Sequence, residues 1–417
     1  MQTGDVLELE ITGVAHGGVF VARHGATADA PGFVVFAPDA LPGERVRARV
    51  TQVKKSFARA ETLEVIDASP HRRPHVWREA DIDVAPARRP GGADFGHIAL
   101  DHQRELKRQV VADAFERFAG GSVPVEIDAA PGETDDGTRW RTRVGLHVDA
   151  DGRVGPYAAR SHEVIEVGAH PLATAGIERA TRGLRGEEGR IDLVEPEDGE
   201  VRILRRPARS RGRADGDEVV VERVAGREFR VDAGGFWQVH RSAATALDAA
   251  VRDALREIPA EDHPHHLDLY GGVGLFAAAL ADHGDGARVT TVESAPRATR
   301  HARANLRDRS VEAVTARVER FVDATSPDPS LAHGVTLLDP PRAGAGERVV
   351  RRIAALDPRA VVYVACDPVA LARDVGTFRR LGYDLDGVRA LDLFPSSHHV
   401  EAVAVLRRAD KARATAR

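Results

Sequence analysis

The sequence contains a single cysteine, Cys366, among its 417 residues. One thiol cannot form an internal disulfide, a thiolate zinc site or an iron–sulfur cluster with four cysteine ligands. Long hydrophobic runs are also missing: no stretch of about 18 uncharged apolar residues occurs, so we expect no membrane span. Residues 1–13 lack the basic and apolar regions of a secretory signal, and we therefore expect a cytoplasmic protein.

Lysine is scarce, because only four of the 59 cationic residues are lysine and the others are arginine. This bias is more typical of a GC-rich genome than of a guanidinium-specific function. The formal net charge is −5, which excludes a protein that is basic over its whole surface but not one with a basic face. The length allows two to four domains of about 100–200 residues, and the 42% of hydrophobic residues suffices for packed cores.

Residues 1–66 contain short strand-like segments separated by glycine and proline, which predict five strands and a small β-barrel. Residues 67–232 are expected to form a central β-rich module. This module begins with irregular chain and then a helix over residues 101–118, with Asp101 as the expected N-cap. The predicted strands of the module include residues 140–148, 162–167, 218–224 and 228–231.

Hydrophobic strands alternate with helical segments from residue 233 to residue 408, and residues 409–417 form a tail. This alternation predicts the α/β class, with a mostly parallel sheet covered by helices on both faces. The last two predicted strands, 384–391 and 400–406, have no helix between them. We therefore expect them to form an antiparallel pair.

A glycine-rich turn occupies residues 268–276, which read DLYGGVGLF. Such glycines let backbone amides approach a ligand closely where a helix begins, and Glu293 ends the next strand, where a carboxylate would meet a ribose. Residues 272–277 also match the dinucleotide pattern G-x-G-x-x-A, so a NAD enzyme is an alternative. Asp268 and the antiparallel ending favour a class I S-adenosylmethionine (SAM) domain instead, and a turn without a ligand is the third interpretation.

Three further motifs stand at the ends of predicted strands. Asp339 ends an apolar strand and is followed by two prolines and Arg342, where enzymes that methylate adenine or cytosine carry other residues. Cys366 ends the next strand directly before a predicted helix, a position that can lower a thiol pKa and expose a nucleophile. The alternative is a buried cysteine that acts as a small hydrophobe. Glu401 begins the last strand, either as a base that faces Cys366 or as a solvated charge.

Taken together, these motifs resemble the SAM-dependent RNA uracil-5-methyltransferases, which make 5-methyluridine in tRNA or ribosomal RNA. The resemblance covers nearly the whole chain: residues 1–66 look like a TRAM domain, an RNA-binding barrel, and residues 236–239 resemble the family's Phe-x-Gln segment. It implies a class I methyltransferase fold, a Rossmann-like sheet with an antiparallel last strand, with Cys366 as nucleophile and Glu401 as general base. The implied SAM-binding residues are Gln238, Asp268, Tyr270, Gly272, Gly274, Glu293 and Asp339.

The resemblance also implies a mechanism. The Cys366 thiolate would add to carbon 6 of uracil, carbon 5 would accept the methyl group, and Glu401 would remove the proton from carbon 5. The target base must leave its stack to reach such a site, which favours a loop nucleotide.

Two departures from the family pattern affect the expected cofactors. Several members hold an iron–sulfur cluster, but Pro90 and Ala93 stand in the matching Cys-Gly-Gly-Cys segment and His170 stands where a further ligand is expected. We therefore predict that there is no iron–sulfur cluster, and the scattered histidines predict no metal site either. Leu275 replaces an asparagine of the SAM turn, which removes one expected hydrogen bond to SAM.

RNA contact is predicted independently by residues 45–59, which contain six cations and no acid. Alternate positions of a strand share one face, and basic patches with an aromatic residue suit phosphates and stacked bases. The predicted RNA-binding residues are Arg45, Arg47, Arg49, Lys54, Lys55, Phe57 and Arg59. A second stretch, 205–213, holds five arginines. For both stretches the alternative is a solvated face in an arginine-rich chain.

The first functional hypothesis is therefore a monomeric RNA uracil-5-methyltransferase that binds SAM and RNA and no membrane. The alternatives are a NAD-dependent oxidoreductase with an RNA-binding appendage and a non-catalytic RNA-binding protein. Binding of SAM but not of NAD separates the first two, and the presence of both Cys366 and Glu401 argues against the third. The sequence does not name the RNA or the uridine.

Overall fold

The computed structural model describes residues 1–27, 29–208 and 217–409. The N-terminal strands close into a barrel in the order β1-β2-β3-β5-β4, which confirms the five-stranded barrel predicted from the sequence. Leu9, Phe20 and Val35 are among the side chains that fill its interior, because every second residue of each strand points inward. The strands are β1 (Val6–Ala15), β2 (Val19–His24), β3 (Phe33–Ala37), β4 (Arg45–Val53) and β5 (Phe57–Asp67).

Helix α1 (Leu100–Phe118) follows the irregular segment after the barrel. It begins one residue before the predicted start, after Ala99, which caps it with no side-chain hydrogen bond. The predicted N-cap at Asp101 is therefore wrong: this side chain lies in the first turn, almost fully exposed, and pairs with Arg104 at 2.6 Å. Strand β6 (Ile127–Ala129) comes next and joins the C-terminal sheet beside its last strands.

The remainder of the central region forms a four-stranded sheet of order β10-β9-β7-β8 and the hairpin β11-β12. The predicted strand over 162–167 is wrong. The amide of Ala158 donates to the carbonyl of Glu163, and that of Ile165 to Pro156, so this segment folds back on its own neighbour instead of joining a sheet. The elements are β7 (Arg143–Val148), β8 (Val154–Gly155), α2 (Ala175–Thr181), β9 (Gly189–Val194), β10 (Arg202–Pro207), β11 (Val219–Val224) and β12 (Arg227–Asp232).

The C-terminal region forms an eight-stranded sheet of order β15-β14-β13-β16-β17-β19-β18-β6. Its elements are α3 (Ala243–Glu257), β13 (His265–Leu269), α4 (Leu275–Leu280), β14 (Arg288–Glu293), α5 (Pro296–Asn305), β15 (Val311–Thr315), α6 (Val318–Ala324), α7 (Pro329–Ala332), β16 (Val335–Leu338), α8 (Gly346–Ala355), β17 (Ala360–Ala365), α9 (Pro368–Arg380), β18 (Tyr383–Asp392) and β19 (Glu401–Arg408). Strand β19 runs antiparallel to both β17 and β18, as expected, and the β13–β17 strands pair in parallel.

Helices cover both faces of this sheet, and each face has its own hydrophobic core. On one face α1 packs against α9, and Phe115 of α1 is fully buried there. The carboxyl ends of β13, β14, β16 and β17 meet at one edge, where open α/β sheets bind ligands. The β1–β2 turn of the barrel reaches this edge, because His16 Nε2 lies 2.8 Å from a carboxylate oxygen of Asp367 at the start of α9. Among the described residues, no helix is both long and apolar enough to cross a membrane.

Candidate active site

A cavity of about 1170 Å³ opens at this sheet edge. It brings together both predicted catalytic residues and most of the predicted SAM-binding residues, which come from the ends of five strands and from the segment before α3. The predicted residues that line it are Gln238, Tyr270, Gly272, Glu293, Asp339, Cys366 and Glu401. The two others, Asp268 and Gly274, do not line the cavity and lie behind its wall.

The glycine-rich turn forms one side of the cavity. Tyr270, Gly272 and Gly274 all have positive φ angles, of 66°, 55° and 92°. A Cβ atom on Gly274 would lie 2.6 Å from the side chain of Leu306, so neither the backbone nor the space admits another residue. Leu275, which begins α4, lines the cavity as an apolar side chain.

Glu293 is held in place by the same turn. Its carboxylate accepts hydrogen bonds from the amide of Gly272 at 3.3 Å and from that of Ala295 at 2.6 Å. The hydroxyl of Ser294 donates to it at 3.0 Å. These hydrogen bonds fix the carboxylate at the end of β14, and its role toward a ribose stays a prediction.

Asp268 supports the turn from behind. Its side chain is fully buried and accepts a hydrogen bond of 2.7 Å from the hydroxyl of Thr291, while its second oxygen has no partner among the described residues. Burial raises the pKa of Asp268 to about 7, and the nearby Glu293 carboxylate adds to the shift. A Cβ atom at Gly271 would collide with both Asp268 and Thr291, so these side chains fix the path of the turn.

Asp339 stands at the end of β16, next to the turn. Its amide donates to the carbonyl of Leu269 at 3.3 Å, which ties the two strand ends together. Burial raises the pKa of Asp339 to about 7, and the carboxyl of Asp268 contributes to the shift. Pro340 and Pro341 follow and also line the cavity.

Cys366 follows β17, and Glu401 begins β19, its neighbour in the sheet. The last pair of the β17–β19 ladder joins Ala365 to Ala402, and Cys366 and Glu401 are the adjoining residues on the two chain segments. The sequence left open whether Glu401 faces Cys366. In the structure both side chains line the same cavity.

The thiol is not activated in the way that its place before α9 suggests. Burial, with a contribution from the Glu401 carboxylate, raises the pKa of Cys366 to about 12, although the Arg342 guanidinium opposes the shift. The expectation that the helix start lowers this pKa is therefore wrong for the free enzyme. Burial also raises the pKa of Glu401 well above its usual value, with Asp339 adding to the effect.

The loop from β18 to β19 brings further side chains to the cavity, and side chains of α1 hold this loop in place by hydrogen bonds. Gln103 accepts a hydrogen bond of 2.7 Å from the amide of Ser396. Lys107 lies 2.5 Å from the Asp392 carboxylate, and both side chains are fully buried. His399 of this loop contacts Arg342 at 3.2 Å within the cavity wall.

Two side chains of the cavity wall that the sequence analysis did not assign to the site are relevant to an RNA substrate. Arg141 lines the cavity with its guanidinium 5.6 Å from the ring of Trp140, and no carboxylate among the described residues pairs with it. Phe236 lines the cavity with 72% of its surface exposed. The Phe-x-Gln segment was a signal for Phe236, but no pattern in the sequence placed Arg141 beside residues so distant in the chain.

The predicted basic stripe on β4 is neutralised by acidic neighbours. Arg45 pairs with Asp67 at 2.8 Å, Arg47 pairs with Glu64, and Arg49 pairs with Glu61 at 3.1 Å. Of the other predicted RNA-binding residues, Lys54 and Lys55 lie in the β4–β5 turn, and Phe57 and Arg59 lie at the start of β5. In the second arginine-rich stretch, residues 209–213 lie outside the described residues.

Some family members that this chain resembles hold an iron–sulfur cluster, and the residues at the corresponding positions here pack against other parts of the chain. Pro90 forms a bridge to Ala158, and Ala93 is buried in a cluster with Trp77 and Trp140. His170 lies against the ring of Trp77, with 5.9 Å between ring centres. No group of three or more metal-ligating side chains occurs within the described ranges.

Comparisons with known proteins identify the family. Residues 1–63 match the family model described as TRAM domain, and residues 197–409 match the one described as tRNA (Uracil-5-)-methyltransferase. An RNA methyltransferase of Streptomyces avermitilis, described as uncharacterized, is 41% identical over 98% of this chain and 99% of its own. The 23S rRNA (uracil(1939)-C(5))-methyltransferase RlmD of Shewanella denitrificans is 28% identical over 97% of this chain and 96% of its own.

Among solved structures, the tRNA (uracil-54, C5)-methyltransferase of Pyrococcus abyssi, in complex with S-adenosyl-L-homocysteine, shares the fold. It matches with a TM-score of 0.68 and 22% identity, and the match covers 96% of this chain and all of that one. The family match and the close relatives exclude the NAD-dependent alternative. The chain therefore belongs to the tRNA (uracil-5-)-methyltransferase family of SAM-dependent RNA methyltransferases.

Proposed function

We propose that this enzyme methylates carbon 5 of a uridine in structured RNA through a covalent bond between Cys366 and carbon 6 of the base. The observation that carries the proposal is that Cys366 and Glu401 line the same cavity and adjoin the last residue pair of β17 and β19. A thiol and a carboxyl group in that arrangement can contact the two adjacent ring carbons of one uracil. Relatives named for 23S rRNA and for tRNA make both RNA classes candidates.

The cavity fits SAM at the end formed by the glycine-rich turn. The open backbone at Gly272 leaves space for a ligand, and the fixed carboxylate of Glu293 suits the ribose hydroxyls. Gln238, Tyr270 and Asp339 would complete the site, while Asp268 and Gly274 hold its shape from behind. When bound, SAM supplies an electrophilic methyl group.

The residues of the chain perform the remaining chemistry. Cys366 Sγ, once deprotonated, adds to carbon 6 of uracil and makes carbon 5 nucleophilic. Glu401 then accepts the proton from carbon 5, and the thiolate leaves as the ring regains its double bond. Because burial raises the pKa of Cys366 to about 12, the thiol holds its proton in the free enzyme at neutral pH. Burial raises the pKa of Glu401 as well, and the Arg342 guanidinium favours the ionised form of both groups.

Two further side chains of the cavity wall are positioned to contact the RNA. The exposed ring of Phe236 offers a stacking surface at the cavity, and such stacking offsets part of the few kcal/mol needed to unstack a base. Arg141 offers an unpaired cation for a phosphate. We further propose that the enzyme acts as a monomer in the cytoplasm, where tRNA and ribosomes are found.

The test uses RNA made with 5-fluorouridine, because fluorine at carbon 5 cannot leave as a proton. Wild-type protein incubated with SAM and this RNA should form a complex that survives denaturing electrophoresis. Cys366→Ala should form none and should still bind SAM with wild-type affinity in calorimetry. An unshifted wild-type band, with SAM binding intact, would overturn the covalent mechanism.

Glu401→Gln tests the proton acceptor separately. This variant should add its thiol to carbon 6 and accept the methyl group, then stop, because the proton on carbon 5 has no acceptor. A covalent complex with ordinary uridine RNA is therefore expected, and the wild type should not accumulate it. Turnover near the wild-type rate without a trapped complex would remove Glu401 from the mechanism.

A further inference from the structure

Arg342 carries a positive charge at the active-site cavity that is not neutralised by a carboxylate. The next arginines along the chain, Arg348 and Arg351, each pair with an acidic side chain. Within the described ranges, no such pair forms with Arg342. Its side chain lines the cavity with Cys366 and Glu401, and its charge opposes the rise of the pKa of both groups. The place of this guanidinium therefore affects how readily the thiol ionises.

The ring of His399 holds the guanidinium in the cavity. Nη2 of Arg342 lies 3.2 Å from Nε2 of His399, and the structure describes no other hydrogen bond of this guanidinium among the residues it covers. A guanidinium has only donors, so Nε2 is the acceptor and carries no proton. The ring is therefore neutral. His399 fixes the guanidinium without cancelling its charge, whereas a carboxylate in this place would do both.

The surroundings of His399 keep its ring neutral. Burial lowers the pKa of His399 to about 3, and the charges of His398, Arg342 and Lys107 act in the same direction. Asp94 opposes the shift, but its carboxylate is engaged elsewhere, since it lies 2.8 Å from Nδ1 of His398. The ring of His399 therefore stays an acceptor at every pH at which the enzyme would work.

The β18–β19 loop fixes the orientation of this ring. Phe394 meets it edge to face, with 5.7 Å between the ring centres, and the ring centre of His398 lies 4.0 Å away. The amide of His399 donates to the hydroxyl of Ser397 at 3.4 Å. Because hydrogen bonds from α1 hold the same loop, the acceptor has a defined place in the cavity wall.

A second cation makes the acceptor necessary. Arg141 also lines the cavity, and its Nε donates to the carbonyl of Arg143 at 3.0 Å, which fixes its position. The two guanidinium groups are close enough that the charge of Arg342 lowers the pKa of Arg141. Like charges repel, and Arg342 is exposed. Without His399 its guanidinium would turn toward solvent, where water and salt screen its effect on Cys366.

We propose that His399 is a positioning residue, which holds the Arg342 guanidinium beside Cys366 so that its charge stabilises the thiolate that attacks the base. The carboxyl groups of Glu401 and Asp339 face the same thiol and oppose its ionisation, and the guanidinium offsets part of their effect. The inference rests on the proposed function, which requires the thiolate. It concerns the free enzyme, so its test needs no RNA.

The test uses the fact that Cys366 is the only cysteine of the chain, so a thiol reagent reports on it alone. We measure the rate of exchange with dithiodipyridine at about pH 8, because this reagent is uncharged and reacts with the thiolate. His399→Leu removes the acceptor. If this raises the thiol pKa by about one unit, the thiolate fraction falls about 10-fold, and its greater nucleophilicity leaves a net loss of about threefold. Arg342→Gln removes the cation and should lose at least as much.

Two variants of nearly equal shape separate charge from packing. His399→Gln keeps a neutral acceptor at the reach of Nε2 and should keep the exchange rate within about twofold of the wild type. His399→Glu also accepts from Arg342, but its carboxylate cancels the charge, so the rate should fall by at least about threefold. His398→Leu is the matched control in the same loop, because this ring contacts Asp94 and not Arg342, and it should keep the wild-type rate.

Each variant is accepted only if it binds SAM with wild-type affinity in calorimetry. A wild-type exchange rate in His399→Leu would overturn the inference, and so would equal rates in His399→Gln and His399→Glu. An equal loss in His398→Leu would assign the effect to the packing of the loop and overturn the role of His399. Failure of the proposed function is a separate result: the wild type would then form no adduct with 5-fluorouridine RNA, and the order of the exchange rates would still decide whether His399 positions Arg342.

Discussion

Replacement of Lys107 by methionine is expected to destabilise the protein more than any single surface change. Lys107 and Asp392 are both fully buried and lie 2.5 Å apart, and the ammonium also donates to the carbonyl of Phe394 at 3.1 Å. Methionine fills the same space but leaves the Asp392 carboxylate buried without its cation. Removal of one partner of a buried ion pair costs about 3–5 kcal/mol, because the remaining charge is desolvated and uncompensated.

The double variant Lys107→Met/Asp392→Leu should recover most of this loss. Burying two apolar side chains avoids the desolvation of both charges, and such replacements are neutral or stabilising in comparable sites. Urea unfolding followed by tryptophan fluorescence measures the effect. The ring centre of Trp140 lies 6.0 Å from that of Phe394, which belongs to the loop after Asp392. Arg108→Met is the matched control on α1, because its exposed pair with Glu105 is worth less than about 1 kcal/mol.

The reasoning fails if Lys107→Met loses less than about 1 kcal/mol, or if the double variant is as unstable as the single one. Function gives a second readout. Because the loop after Asp392 carries His399 and Phe394 to the cavity, Lys107→Met should reduce RNA methylation more than it reduces SAM affinity.

Three further outcomes are expected. Gly274→Ala should weaken SAM binding and destabilise the protein by about 1–3 kcal/mol, because its φ of 92° is strained for alanine and the added Cβ meets Leu306; calorimetry and thermal unfolding measure both. Burial raises the pKa of Asp268 to about 7 in the folded protein, whereas the carboxyl ionises near pH 4 in the unfolded chain. The free energy of unfolding of the SAM-free protein should therefore fall as pH rises from about 4 to about 7, and Asp268→Asn should reduce this fall. Single-turnover methyl transfer should speed up as pH rises from about 6 to about 9, since Cys366 and Glu401 must both lose protons against raised pKa values, and a rate independent of pH would contradict the assigned roles.

The local patterns of the sequence were sufficient for much of the fold. Short strand-like segments separated by glycine and proline predicted the five-stranded barrel, and the N-terminal strands close into one. The glycines of the SAM turn predict a backbone that other residues cannot follow, and the positive φ angles of Gly272 and Gly274 agree. The predicted strand over 162–167 failed, because its hydrogen bonds go to a neighbouring segment that no periodicity reveals.

The sequence by itself determined which groups we propose as reactive and their order along the chain: a lone cysteine at a strand end, a carboxylate at the start of the last strand, and a glycine turn for a cofactor. Only the tertiary structure decided which of these groups meet in one cavity. The insertion of β19 between β17 and β18 brings Glu401 to the cavity that Cys366 lines, and burial, which depends on all the surrounding elements, raises both pKa values. The pairing of the β4 arginines was decided in the same way, because charges on adjacent strands meet only after the barrel has closed.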